Sequence, residues 1–258
     1  MSPEPPPPPP DIAAPAPEQL PAENPPPESY PFWGYLDLLA FVLIALLGML
    51  AESLLMSALI GATHVKQIFV LLPAQVVLYG FVLGTLAIIF RRYYGRPFWE
   101  SLRWVRANMG IGAVAGCGVI VAILVMLASV LMRTPDINSP MKNLLSDPTS
   151  VVLIAVLGTT LAPVCEEIVF RGFLQPLLVR SFGASLGVLA AAVPFGLLHL
   201  QEYGYSWRHA LLITGAGAAF GWMRERTGST RSAAIMHAAY NGVFFLLLAA
   251  QEGALHGR

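Results

Sequence analysis

Residues 150–171 read SVVLIAVLGTTLAPVCEEIVFR, sixteen uncharged residues running into two adjacent glutamates and then an arginine. A run of this length and apolarity is close to the roughly 20 residues a helix needs to cross a bilayer. The acids at its end are what hydrocarbon should exclude, since an acid at a helix centre costs about 2.5 to 3.5 kcal/mol on insertion scales. This stretch therefore fixes both the solvent and the place to look for chemistry.

The remainder of the chain agrees. Of its 258 residues 56% are apolar and 12% charged, against roughly 25% charged in soluble domains. From residue 32 the apolar runs recur at membrane-span length, at about 33–60, 67–90, 109–132, 150–170, 183–200, 209–223 and 232–250. The fold class this predicts is all-α, a polytopic transmembrane helical bundle of about seven spans, with six to eight compatible with boundaries uncertain by about 2 to 4 residues. The organisation follows as an N-terminal tail over 1–31, transmembrane helices over 32–147, a C-terminal transmembrane domain over 148–250 and a short tail over 251–258.

Fourteen of the 22 prolines fall in residues 1–31, with five acids and no Lys or Arg. Such a composition cannot form a core, so the segment is expected to be disordered. It is a spacer, or a partner-binding segment that docks as a polyproline helix in an aromatic groove. It has neither a basic start nor an apolar stretch, so it is not read as a signal peptide.

Fifteen basic and fifteen acidic residues cancel, which leaves no electrostatic grip on a phosphate backbone and sets nucleic-acid binding aside. The two cysteines, Cys117 and Cys165, lie within apolar runs and make no framework. Basic residues sort onto alternate loops. Arg91, Arg92, Arg96, Arg103, Arg106, Arg180, Arg224, Arg226 and Arg231 fall on one side, against Lys66, Arg133, Lys142, Arg208 and Arg258 on the other. Positive charge stays inside, so the N-terminus is expected to be cytoplasmic.

Three polar clusters interrupt the apolar C-terminal half. In the first, Glu167 and Arg171 are four apart and share a helix face, so they can pair, whereas Glu166 points about 100° away. The second is Phe195 followed four residues later by His199. The third places His237 and Asn241 on one face of the last span. Each cluster alone has a plain structural explanation, as an interfacial cap or a contact between helices. Together they form a hydrolytic set, in which a carboxylate or imidazole takes a proton from water and a His or Asn donor steadies an oxyanion. The same residues could hold zinc through one Glu and two His, with Glu166, His199 and His237 as ligands, so zinc and metal-free chemistry both stay open.

These three motifs resemble those of the CAAX prenyl protease and bacteriocin-processing family of intramembrane proteases. Glu166, Glu167 and Arg171 match its first motif, Phe195 and His199 its second, and His237 and Asn241 its third, in the same order, over about residues 148–250. The resemblance implies an all-helical membrane protease that cuts a peptide bond of a membrane-associated protein or peptide near the bilayer surface. Glu166 would be the general base assisted by His199, His237 and Asn241 would polarise the carbonyl, and Glu167 with Arg171 would support them. Members are described both as metalloproteases and as metal-free glutamate enzymes. Some relatives serve as scaffolds or bacteriocin-immunity factors, so a catalytically silent binding role is the alternative. The compact, arginine- and alanine-rich style reads as bacterial, which places the chain in the inner membrane.

Other features are read more plainly. Gly183 to Gly187 spell a nucleophile-elbow pattern around Ser185, but in an apolar helix, where small residues favour close packing. Cys165 is read as a small buried apolar group, and His64, His209 and His256 as interfacial. Asp37 can reach the membrane edge, and Glu52 is expected to line the cavity or bond to a neighbouring helix.

One geometric conflict remains. With straight spans, Glu166 would lie about 22 Å from the outer start of its helix and His199 about 24 Å from the inner start of its own, so they would not meet. Pro163 disfavours helix at the residue before it. The helix is therefore expected to be kinked or interrupted near Pro163.

Overall fold

The computed structural model describes residues 2–3, 30–62, 65–136, 140–145 and 147–256. The proline-rich tail, apart from residues 2–3 and 30–31, and His64 lie outside the described residues. So does the side chain of His256. The described residues form helices and connecting turns, with no strand among them.

In chain order the helices are α1 (Tyr35–Ala62), α2 (Ile68–Tyr93), the short α3 (Phe98–Ser101), α4 (Ile111–Leu131), α5 (Pro140–Leu144), α6 (Pro148–Thr159) and α7 (Leu161–Glu167). A π-helical segment (Ile168–Leu174) then leads into α8 (Gln175–Leu198), followed by α9 (Trp207–Thr227) and α10 (Thr230–His256). The last helix thus runs beyond residue 250, where the sequence suggested a tail.

Long apolar side chains on α1, α2 and α4 face outward, with Leu36 82% and Val130 74% exposed. Water would not tolerate so much exposed apolar surface, and a bilayer does. Five stretches among the described residues are long and apolar enough to cross a membrane: α1, α2, α4, the helical run Pro148–Leu198, and Thr230–Ala250. These are fewer than the seven apolar runs of the sequence. The runs at 150–170 and 183–200 fall in one helical stretch, as two arms divided at Gly183. The run at 209–223 lies in α9, whose Ala216, Gly217, Phe220 and Gly221 are buried.

Two features bend the run Pro148–Leu198. The first is an interruption at Thr160 (φ −125°, ψ −86°) between α6 and α7. Pro163 has no N–H to give the carbonyl four residues back, that of Thr159, and its ring crowds that carbonyl. The helix opens there and restarts, so Pro163 sits in the first turn of α7, where a missing N–H costs nothing. The expected break is present, three residues upstream of the proline.

The second is Gly183 (φ 77°, ψ 168°), whose left-handed φ admits glycine readily and reverses the chain within α8. The two arms close tightly enough that a Cβ on Gly187 would come within 2.5 Å of the Val179 backbone. The serine-hydrolase pattern at 183–187 is therefore a helical hairpin. Ser185 is exposed and does not line the cavity described below.

The core beside the π segment gathers Trp33, Phe41, Leu86, Ile89, Phe90, Leu102, Ile168 and Phe173. The Trp33 indole donates to the Phe173 carbonyl at 3.0 Å, supplying a donor where the helical ladder is re-registered. The loops also segregate. Arg180 donates to the Pro31 and Trp33 carbonyls, Arg224 to Tyr30 and Ser229 to the Val105 carbonyl, which gathers the arginine-rich connections at one end. At the other end Lys66 pairs with Asp147 and Arg208 donates to the Arg133 carbonyl.

Candidate active site

The break at Thr160 places α7 so that Glu166 and Glu167 emerge between α2 and α10. Glu167 is fully buried and its Oε1 is shared. Arg171 Nη1 lies 3.0 Å away and His237 Nδ1 2.9 Å away. Arg171, also fully buried, donates through Nη2 to the Gly217 carbonyl at 2.7 Å, and its guanidinium lies 4.4 Å from the centre of the Phe195 ring. A buried ion pair needs further hydrogen bonds and polarisable neighbours against its desolvation, and these contacts supply part of that, while Glu167 Oε2 and Arg171 Nε are buried without a hydrogen-bond partner among the described residues. Gly217 allows the approach, because a Cβ there would meet Phe195 at 2.8 Å and Arg171 at 2.9 Å. The four-residue pairing of Glu167 with Arg171 is as the sequence suggested.

Glu166 turns the other way, again as the helical angle required. Its Oε1 accepts a hydrogen bond from the Tyr79 hydroxyl at 3.1 Å, and its Oε2 lies 3.9 Å from His237 Nε2. His237 thus spans the two glutamates. A carboxylate paired with arginine accepts rather than donates, so Nδ1 carries the proton towards Glu167 and Nε2 is the atom turned to Glu166.

His199, at the C-terminal cap of α8, has Nδ1 2.8 Å from the Phe195 carbonyl. A carbonyl only accepts, which assigns the proton to Nδ1 and leaves Nε2 with a free lone pair in the neutral ring. Asn241 donates through Nδ2 to the Gly158 carbonyl at 2.7 Å, tying α10 to the end of α6. The contact between helices weighed for this residue is therefore present, and the residue also lines the cavity.

That cavity has a volume of about 780 Å3. Glu166, His199, His237 and Asn241 all line it, so the structure brings together side chains that straight spans would have kept apart. Glu167 and Arg171 do not line it and stand behind His237. Glu52 lines it as well, and so does His209, which stacks on Tyr203 with ring centres 5.1 Å apart instead of serving only at the interface. Cys165 is buried, 2% exposed, as its apolar reading required.

Three polar groups of the cavity escaped the sequence. Tyr79 comes from α2, and no spacing rule links it to a glutamate 87 residues away. Glu202 and Tyr203 follow His199 in the turn between α8 and α9. Burial holds the Glu202 carboxyl above the usual carboxylate range, with the nearby His199 opposing the rise and Glu166 adding to it. The only signal in the sequence was that Glu202 follows His199 by three residues.

Zinc needs ligand atoms about 2.0 to 2.2 Å from one point. Among the described residues no three His, Cys, Asp or Glu side chains are grouped to hold a metal ion. Glu166, His199 and His237 all line the cavity, and the bond of His237 Nδ1 to Glu167 leaves its Nε2 as the ring atom turned to Glu166.

Residues 148–243 match the family model of the type II CAAX prenyl endopeptidase Rce1-like. No curated protein and no solved structure matches the chain. The matched segment starts at α6 and ends just after Asn241, so it contains all three motifs and the helical break that positions the first of them. Over residues 148–243 the chain is therefore similar to the Rce1-like type II CAAX prenyl endopeptidases, which supports the family that the three motifs resemble.

Proposed function

We propose that this protein is an integral membrane endopeptidase that hydrolyses a peptide bond in a membrane-associated protein or peptide, by water activated between Glu166 and His199. The observation that carries this is a single cavity lined by Glu166, His199, His237 and Asn241 and otherwise largely apolar.

In the reaction, a carboxylate oxygen of Glu166 takes a proton from water, assisted by the free Nε2 of His199. The new O–H nucleophile bonds to the scissile carbonyl carbon, and the π pair moves onto the carbonyl oxygen. Asn241, through its second Nδ2 hydrogen, stabilises that oxyanion, and His237 does so with a proton on Nε2 as well as the one that Nδ1 gives to Glu167. As the C–N bond breaks, the proton held by Glu166 passes to the leaving nitrogen. Glu167 and Arg171 act one step back, fixing the ring of His237 through Nδ1. Were zinc bound, Glu166, His199 and His237 would hold it, and it would supply a Lewis acid for the same hydrolysis.

The arginine-rich end is proposed to be cytoplasmic, with the N-terminus on that side, in a bacterial cell membrane. The proline-rich tail is proposed as a spacer between the membrane and any partner.

Comparing all new peptide termini in cells carrying the wild type with those carrying Glu166→Ala, at equal membrane abundance, tests the function. Termini lost with Glu166→Ala identify the activity and its targets. Identical termini, with the variant still rescuing a deletion phenotype, would make the protein a binding or immunity factor.

A further inference from the structure

Helix α2 lies outside the family-matched segment, yet it forms a wall of the cavity. Ile68, Leu72, Gln75 and Tyr79 all line it, and their spacings of four, three and four residues put them on one helical face. Three of the four have no contact with the proposed chemistry. Tyr79, the last of the stripe, donates its hydroxyl to Glu166 Oε1 at 3.1 Å.

That bond has a directional consequence. A glutamate has three rotatable side-chain bonds, and one tethered oxygen restricts where the other can point. With Oε1 held by Tyr79, Oε2 is the oxygen that faces His237 Nε2, 3.9 Å away.

We propose that Tyr79 is a positioning residue for the hydrolysis: its O–H binds Glu166 Oε1 and so presents Oε2 as the atom that receives the proton from water. The inference rests on Glu166 being the base. It makes α2 part of the working site, so the motif-bearing segment 148–243 lacks one component of its own machinery. Packing alone does not require the hydroxyl, because a phenylalanine fills the same wall.

The test uses the full chain in liposomes and, as probe, a synthetic peptide spanning a cleavage site whose new terminus depends on Glu166 in cells. Tyr79→Phe is expected to lower kcat by at least about tenfold. KM should stay within about twofold, because the hydroxyl acts on the base and not on ground-state binding. Added to Glu166→Gln, Tyr79→Phe should produce no further loss, since the group it positions is already absent. Tyr79→Leu carries the same comparison if Tyr79→Phe does not accumulate in the membrane. Wild-type kcat in Tyr79→Phe would overturn the proposal, as would a raised KM at unchanged kcat or a fully additive loss in the double variant. If no terminus depends on Glu166, the protease reading fails and this inference falls with it. If such termini exist and Tyr79→Phe cleaves at the wild-type rate, this inference alone fails.

Discussion

Glu167 and Arg171 place opposite charges where solvent does not reach, 3.0 Å apart, so each offsets part of the desolvation of the other. Arg171→Met leaves Glu167 with His237 as its hydrogen-bond partner, and removing one member of a buried pair costs about 3 to 5 kcal/mol. Arg171→Met should therefore lower the thermal midpoint strongly in detergent. The double variant Arg171→Met with Glu167→Gln, which removes both charges, should recover much of that loss. Equal midpoints for the single and double variants would show that the pair is not the source of the stability. The pairing was legible because four-residue spacing on a helix is a local rule. The bond from Glu167 to His237 was not, since it joins α7 to α10 across 70 residues. The same reason hid Tyr79. Residue types and local spacing reveal which groups are unusual in an apolar helix, whereas their partners are chosen by packing between helices.

At the level of elements, the site depends on places where helices are broken, re-registered or pressed together. The break at Thr160 was foreseeable from Pro163, though the proline acts on the carbonyl four residues back, so the opening lies upstream of it. The π segment had no signature in the sequence. Its carbonyl at Phe173 takes a donor from Trp33. Trp33→Phe, which keeps an aromatic ring and removes the N–H, should destabilise by about 1 to 3 kcal/mol, seen as a lower thermal midpoint. Gly217→Ala should cost about 1 to 3 kcal/mol by pushing Phe195 and Arg171 off their places. It should also slow cleavage, because Arg171 helps hold Glu167 under His237. At the start of α6, Asp147 caps the helix by accepting from the Ser150 backbone N–H, and its bond from the Ser150 hydroxyl, more than Lys66, lowers its pKa. A depressed folded pKa gives stability that is present above the ordinary carboxylate value and lost as pH falls through the folded one. Asp147→Ala should therefore lower the thermal midpoint at neutral pH, and the gap to wild type should narrow at acidic pH. A gap unchanged by pH would assign the cap's effect to shape and not to charge.

Across the whole molecule, the apolar exteriors of α1, α2 and α4 face lipid, while the polar groups turn inward to one cavity. The membrane class was legible from composition, because exposed apolar surface on this scale has no other solvent. The packing of individual runs was less so, since apolarity alone does not tell α9, whose Ala216, Gly217, Phe220 and Gly221 are buried, from a helix that faces lipid. The gathering of Arg180, Arg224 and the loop before α4 at one end predicts that single cysteines there label only from the cytoplasm, and that one at Lys66 labels from outside. The reverse pattern would invert the orientation. The central claim is that this cavity hydrolyses a peptide bond through Glu166. Purified full-length protein in liposomes, given the peptide spanning a Glu166-dependent cleavage site, tests it most directly. The wild type should cut it, and Glu166→Gln, with the same thermal midpoint, should be slower by about 100- to 10,000-fold. Cleavage by Glu166→Gln at the wild-type rate would contradict the account.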